Sequence, residues 1–104
     1  MIVVTTETIS GKTVKESLGL AQGSIVMAKH LGSDFVAGLR NVVGGEVKGY
    51  TDMMEKSRKK AFERMVEDAE KQGADAIIGM RYSSSTIMGG ASEMLAFGTA
   101  VKLK

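Results

Sequence analysis

Hydrophobic positions change their spacing several times along this chain. Ile2-Val3-Val4-Thr5-Thr6 is a β-branched run and predicts a first strand, ended by the turn signal Ser10-Gly11. Val14, Glu16, Leu18 and Leu20 share one parity, whereas Ile25, Met27 and Lys29 share the other. A parity switch needs an inserted residue, which we place at Gly23; residues 13–30 therefore predict one long bent strand or a two-strand unit. Ser33 stands as a helix N-cap with Asp34 in the first turn. Phe35, Val36, Leu39, Val42 and Val43 follow on one apolar face of a short helix. Gly44-Gly45 breaks it, since two glycines cost about 2 kcal/mol of helix propensity relative to alanine.

The second helical pattern is much longer, from Glu46 to Gln72, with Gly73 as its C′ residue. Val47, Tyr50, Met54, Ala61, Met65 and Ala69 form its apolar stripe, flanked by Phe62 and Val66. Glu55–Lys59, Arg64–Asp68 and Glu67–Lys71 are opposite-sign i,i+4 pairs on the charged face. Ala74 to Tyr82 and Met94 to Leu103 predict two more strands, joined by a polar, flexible connection from Ser83 to Gly90. In the last strand Leu95, Phe97, Thr99, Val101 and Leu103 alternate with the small residues Ala96, Gly98 and Ala100.

Length changes how these elements must pack. The chain has 104 residues, room for a single domain over residues 1–104. A helix of about 27 residues is about 40 Å long, whereas a compact domain of this size is roughly 33 Å across. The helix therefore overhangs its own domain, and Met53 and Met54 near its start are adaptable interface fillers. A chain this small buries only about 60–65% of its unfolded surface. These points favour assembly through the long helix or a sheet edge.

Composition mostly removes chemistry. No cysteine is present, which excludes disulfides, thiolate zinc sites, iron–sulfur clusters and a cysteine nucleophile. A single histidine excludes a His-rich metal site within one chain. Net charge is +2, too small an excess to argue for nucleic acid, and no exposed aromatic platform stands in a basic groove. No apolar run reaches a membrane span and the N-terminus carries no signal-peptide pattern, so we expect a cytoplasmic protein with no membrane partner and no cofactor.

Thr6-Glu7-Thr8-Ile9-Ser10-Gly11-Lys12-Thr13 ends like a phosphate-binding P-loop. It lacks the first glycine of that motif, and a strand rather than a helix follows, so we read it as coincidence. The densest polar and glycine cluster is Arg40, Asn41, Gly44, Gly45, Glu46, Tyr50 and Thr51 at the start of the long helix. Free amides there suit a small anion. The plainer reading is a glycine break with Glu46 set favourably at the helix dipole. His30 with Asp34 supplies too few ligands for a closed metal site, although symmetry could multiply them at an oligomer axis. Arg81 and Glu93 are candidates to pair across strands, and the eight methionines read as core filling in an aromatic-poor chain.

Taken in order, several of these pieces resemble one family. They are Ile2–Thr6, the stretch from Phe35 to Glu46, Tyr50-Thr51, Gly73-Ala74-Asp75-Ala76-Ile77-Ile78-Gly79, and Phe97-Gly98-Thr99-Ala100-Val101. The chain resembles the YbjQ-like family of small bacterial and archaeal proteins of unknown function, once labelled heavy-metal-binding. The resemblance implies an α+β subunit with an antiparallel sheet and a long helix, assembled as a homo-oligomer, a pentameric ring. It supplies no catalytic residues. The reading that results is an oligomeric binding or scaffold protein with a small-anion site at the start of the long helix or at a subunit interface. The alternatives are a metal or metabolite binder with ligands converging on the oligomer axis, and a small hydrolase or transferase with an interface active site.

Overall fold

The computed structural model describes residues 1–28, 42–43 and 46–104, and for 42–43 and 46–48 the backbone path. Its elements are β1 (Ile2–Val3), β2 (Val14–Ala28), β3 (Val42–Val43), β4 (Glu46–Val47), α1 (Lys48–Lys71), β5 (Ala76–Met88) and β6 (Ala91–Leu103). Four strands make one sheet in the order β1-β5-β6-β2, and β3 pairs with β4 in a separate two-stranded ladder. The architecture is α+β, but the sheet is mixed rather than antiparallel. β1 runs parallel to β5, whereas β5–β6 and β6–β2 are antiparallel. The long stretch of chain between β1 and β5, with α1 in it, permits the parallel pairing, which no tight turn can make.

The N-terminal segment continues along β5 past its strand assignment. Val4 donates to the carbonyl of Ile77, Gly79 donates to that of Thr6, and Met80 donates to that of Val4. Gly79, at φ 62°, sits where the β5–β6 register shifts between Ile78 and Arg81. The turn expected at Ser10-Gly11 is present: Lys12 donates to Ile9, and Gly11 has φ 74°. β2 follows directly from Val14, so nothing helical stands behind Gly11-Lys12-Thr13, as the P-loop comparison anticipated.

β2 is a single continuous strand. Its parity switch lies at Gly19, not at Gly23. The register against β6 shifts between Val14 and Glu16 and again between Ser17 and Gly19, where Gly19 takes φ 125°, and runs unbroken from Leu20 to Ala28. Leu18 packs against the core before the shift, and Ala21, Gly23 and Ile25 face it afterwards. Gly23 has another reason to be glycine. A Cβ there would lie 2.5 Å from the carbonyl oxygen of Ala61 and would overlap the backbone nitrogen of Met65. Strand and helix meet backbone to backbone at this point.

The connection from Ser83 to Gly90 is not a loop. β5 runs on to Met88 and β6 begins at Ala91, with Met88 opposite Ala91 and Gly90 at φ 79° in the turn. The serines carry ordinary ladder hydrogen-bonding groups, and pairing with β6 overrides their weak strand propensity. Arg81 lies opposite Phe97 and Ser85 opposite Glu93, so Arg81 and Glu93 do not pair. The Arg81 guanidinium instead donates to the carbonyls of Thr5 and Met80, tying the N-terminal segment to the Gly79 bulge.

The short-helix expectation over 33–43 falls mostly outside the described residues. Its end is overturned, because Val42 and Val43 are paired with Val47 and Glu46. β-branched side chains favour that extended geometry. The long helix accordingly begins at Lys48, two residues later than expected, and ends at Lys71. Its terminus is a Schellman motif. Gly73 at φ 80° donates to Glu70, and Ala74 donates to Ala69.

The buried face of α1 is Met53, Ser57, Ala61, Met65 and Ala69, a ridge of strict i+4 spacing. Ser57 is the polar member, and its hydroxyl donates to the Met53 carbonyl at 2.8 Å. Beneath lie Ala21, Ile77, Met80, Met94, Ala96 and Ala100. The methionines at 53, 65, 80 and 94 fill this core, as their number suggested. In β6 it is the small parity, Ala96, Gly98 and Ala100, that is buried on the helix side, and at Gly98 a Cβ would meet Ile77 of neighbouring β5 at 2.6 Å. The bulky parity, Leu95, Phe97 and Thr99, turns to the other side and is only half-buried. Leu20 and Val26 join that face from β2, 58% and 56% exposed. Arg81, Ser83, Ser85 and Glu93 share this second face with Gln22 and Ser24, so it mixes apolar and polar side chains, and among the described residues α1 covers the first face alone.

Candidate functional site

The start of α1 is built from the β3–β4 ladder and the first two helical turns. Val43 pairs with Glu46, and the helix begins two residues after Glu46. Glu46 is therefore a strand residue rather than a charge in the first turn. That turn contains no acidic residue, so no carboxylate within it offsets the partial positive charge of the helix amides.

Tyr50, Thr51, Met54 and Arg58 line an open cleft of about 320 Å³ along this part of the helix. Their spacing explains the grouping: residues 50, 54 and 58 recur every fourth position and form one ridge, with Thr51 beside it. Tyr50, Thr51 and Met54 are half-buried, and Arg58 is exposed. The lining offers a guanidinium, two hydroxyls and a thioether. Such a set can hold an oxyanion by charge and hydrogen bonding.

Two of the seven residues expected in the anion site, Tyr50 and Thr51, are brought together here. Glu46 is placed in β4, and Arg40, Asn41, Gly44 and Gly45 lie outside the described residues. Arg58 and Met54 were not among the seven. The helical period alone locates both, since Arg58 follows Tyr50 by eight positions. His30 and Asp34 also lie outside the described residues. Among the described residues no three histidine, aspartate or glutamate side chains converge as a metal cage, and no helix is long and apolar enough to cross a membrane.

Known proteins bear on the whole chain. A UPF0145 protein of Thermotoga maritima is 59% identical over 104 residues, covering all of this chain and 98% of its own length. A UPF0145 protein of Methanosarcina acetivorans is 56% identical over 103 residues, covering 99% of this chain and 97% of its own. A crystal structure of a protein of unknown function from Pediococcus pentosaceus, of the DUF74 family, has the same fold. Its TM-score is 0.67 at 16% identity, over 100% of this chain and 98% of that one. The family model that carries the description "Putative heavy-metal-binding" matches residues 1–104. By that full-length match and by relatives more than half identical, this chain belongs to the YbjQ-like family of uncharacterised proteins.

Proposed function

We propose that this single-domain protein is a homo-oligomeric binding or scaffold protein that holds a small oxyanion at the start of α1. The observation that carries the anion site is the cleft formed by Tyr50, Thr51, Met54 and Arg58 beside a helix start without a carboxylate in its first turn. Arg58 supplies the charge, Tyr50 and Thr51 supply hydroxyl groups, and Arg40, Asn41, Gly44 and Gly45 precede them in sequence. Assembly is supported by the sheet face that α1 leaves uncovered, where Leu20 and Val26 stand exposed beside Leu95 and Phe97. Large apolar side chains grouped in the open on one face mark interaction surfaces. A ring of five is the number the family implies.

Titration calorimetry with inorganic phosphate tests the site. Arg58→Ala should weaken binding about tenfold or more while leaving the circular dichroism spectrum unchanged, because a charge-assisted hydrogen bond is worth about 1.5–3 kcal/mol. Arg40→Ala should act in the same direction. Phosphate affinity unchanged by both substitutions removes the site. The family's description favours a second reading, a metal ion held on the oligomer axis. Native mass spectrometry of protein purified without chelator separates the two, since a metal at one per ring would add its own mass to the assembly.

A further inference from the structure

Among the described residues β2 is an edge strand of 15 residues, paired on one side with β6. A long edge with exposed Leu20 and Val26 invites addition of another strand. Three side chains of α1 reach this edge. The Gln72 amide donates to the Leu20 carbonyl at 2.9 Å, the Asp68 carboxylate accepts from the Gln22 N–H at 3.0 Å, and the Arg64 guanidinium donates to the Ser24 carbonyl at 2.7 Å.

The three contacts form a ladder because two periods nearly match. Residues 64, 68 and 72 are four apart on the helix and rise about 6.0 Å per step. Residues 24, 22 and 20 are two apart on the strand and rise about 6.7 Å per step. Alternate strand residues point their backbone groups to the same side, and here that side is away from β6. The chemistry also alternates as the edge requires: a donor stands at each carbonyl and an acceptor at the N–H. Gly23 makes this possible by letting α1 settle on β2 at Ala61 and Met65, close enough for the next helix ridge to overhang the edge.

We infer that Arg64, Asp68 and Gln72 form an edge guard, occupying backbone groups of β2 from Leu20 to Ser24 so that no strand of a second copy can pair there. The guard works through side chains that a strand would have to displace, which costs the incoming strand the hydrogen bonds it would otherwise gain. The three residues reach β2 at Leu20, Gln22 and Ser24. The guard is independent of the anion cleft, which lies at the other end of α1.

The test is a triple variant, Arg64→Ala, Asp68→Ala and Gln72→Ala, compared with the parent by light scattering across concentration. The expected result is species at least about twice the parent mass, growing with concentration, as pairing of exposed edges between copies gives. Adding Gln22→Lys, a charge on the same exposed edge, should restore the parent mass. A folded triple variant with the parent's mass distribution overturns the inference, as does association that Gln22→Lys leaves unchanged. Amide exchange supplies a measurement that does not depend on the triple variant folding. In Asp68→Ala the Gln22 amide should exchange about tenfold faster while β6 amides keep their rates; an unchanged Gln22 rate overturns the guard.

Discussion

The backbone of Gly23 in β2 lies against the backbone of Met65 in α1, with no room between them for a Cβ atom. This contact sets the depth at which the helix seats on the sheet. Ala61, Met65 and Ala69 above it, and Ala21, Ala96 and Ala100 around it, are fully buried. Gly23→Ala should therefore destabilise the fold by at least about 2 kcal/mol, because the obstructing atoms are main chain and cannot rotate away. Urea unfolding reads the loss as a lower midpoint. An unchanged midpoint would mean that the helix sits higher than described.

Gly73 is a different case. Nothing lies closer than 3.9 Å to a Cβ at this position, so space is not the constraint. Its φ of 80° is. Gly73→Ala should cost about 1–2 kcal/mol through left-handed strain alone. Gly73→Asn should cost less, since asparagine tolerates that region. Thermal unfolding of the two variants checks the order, and an alanine variant as stable as the asparagine one would contradict it.

Ser57 is 2% exposed in an otherwise apolar ridge, yet its hydroxyl bonds the carbonyl of Met53 four residues earlier. That carbonyl belongs to the helix interior, where the Lys or Arg-rich outer face plays no part. Ser57→Ala removes donor and demand together and adds helix propensity, so stability should stay within about 1 kcal/mol of the parent. Ser57→Leu should lower it by about 1–3 kcal/mol by overfilling the same space. Chemical denaturation of both variants distinguishes a tolerated hydroxyl from a required one.

Leu20→Ser with Val26→Ser tests the uncovered sheet face. Both side chains are more than half exposed and touch little within the subunit, so folding stability should change by less than about 0.5 kcal/mol each. If this face is buried between copies, the double variant should shift the oligomer toward smaller species at equal concentration. Light scattering after size exclusion gives the mass. An oligomer that resists the double variant locates assembly elsewhere.

Much of the architecture was legible because it depends on local periods. The 3.6-residue pattern found α1 and its Gly73 terminus, and β-branched or alternating runs found four of the strands. What misled the reading was non-local. Val42, Val43 and Val47 fit a helical face by spacing, but backbone pairing within the β3–β4 ladder holds them extended. Ser83 to Gly90 looked like a loop because serine and glycine favour loops, and pairing with β6 outweighed that preference. Parity alone makes Gly23 an inserted residue, whereas in the fold its role is helix contact and Gly19 makes the register shift. In the cleft, Tyr50 and Thr51 are visible as polar residues near glycines, and the helical period that places Arg58 eight positions after Tyr50 extends the same ridge to it.

The sequence by itself determined the long helix and the four strands of the main sheet, the absence of cysteine chemistry and the small-residue parity of the last strand. Only the tertiary structure decided which parity faces inward. Helix and sheet meet backbone to backbone at Gly23, and a Cβ at Gly98 would lie 2.6 Å from the Ile77 side chain of neighbouring β5, so the small residues take the covered side and leave Leu95 and Phe97 on the other. It also decided that Arg64 and Asp68, an i,i+4 pair in sequence, direct their charges to the backbone of β2. Periodicity specifies which residues share a face, but what that face meets depends on contacts between segments some 40 to 50 residues apart, |i−j| of 40 for Arg64–Ser24, 46 for Asp68–Gln22 and 52 for Gln72–Leu20.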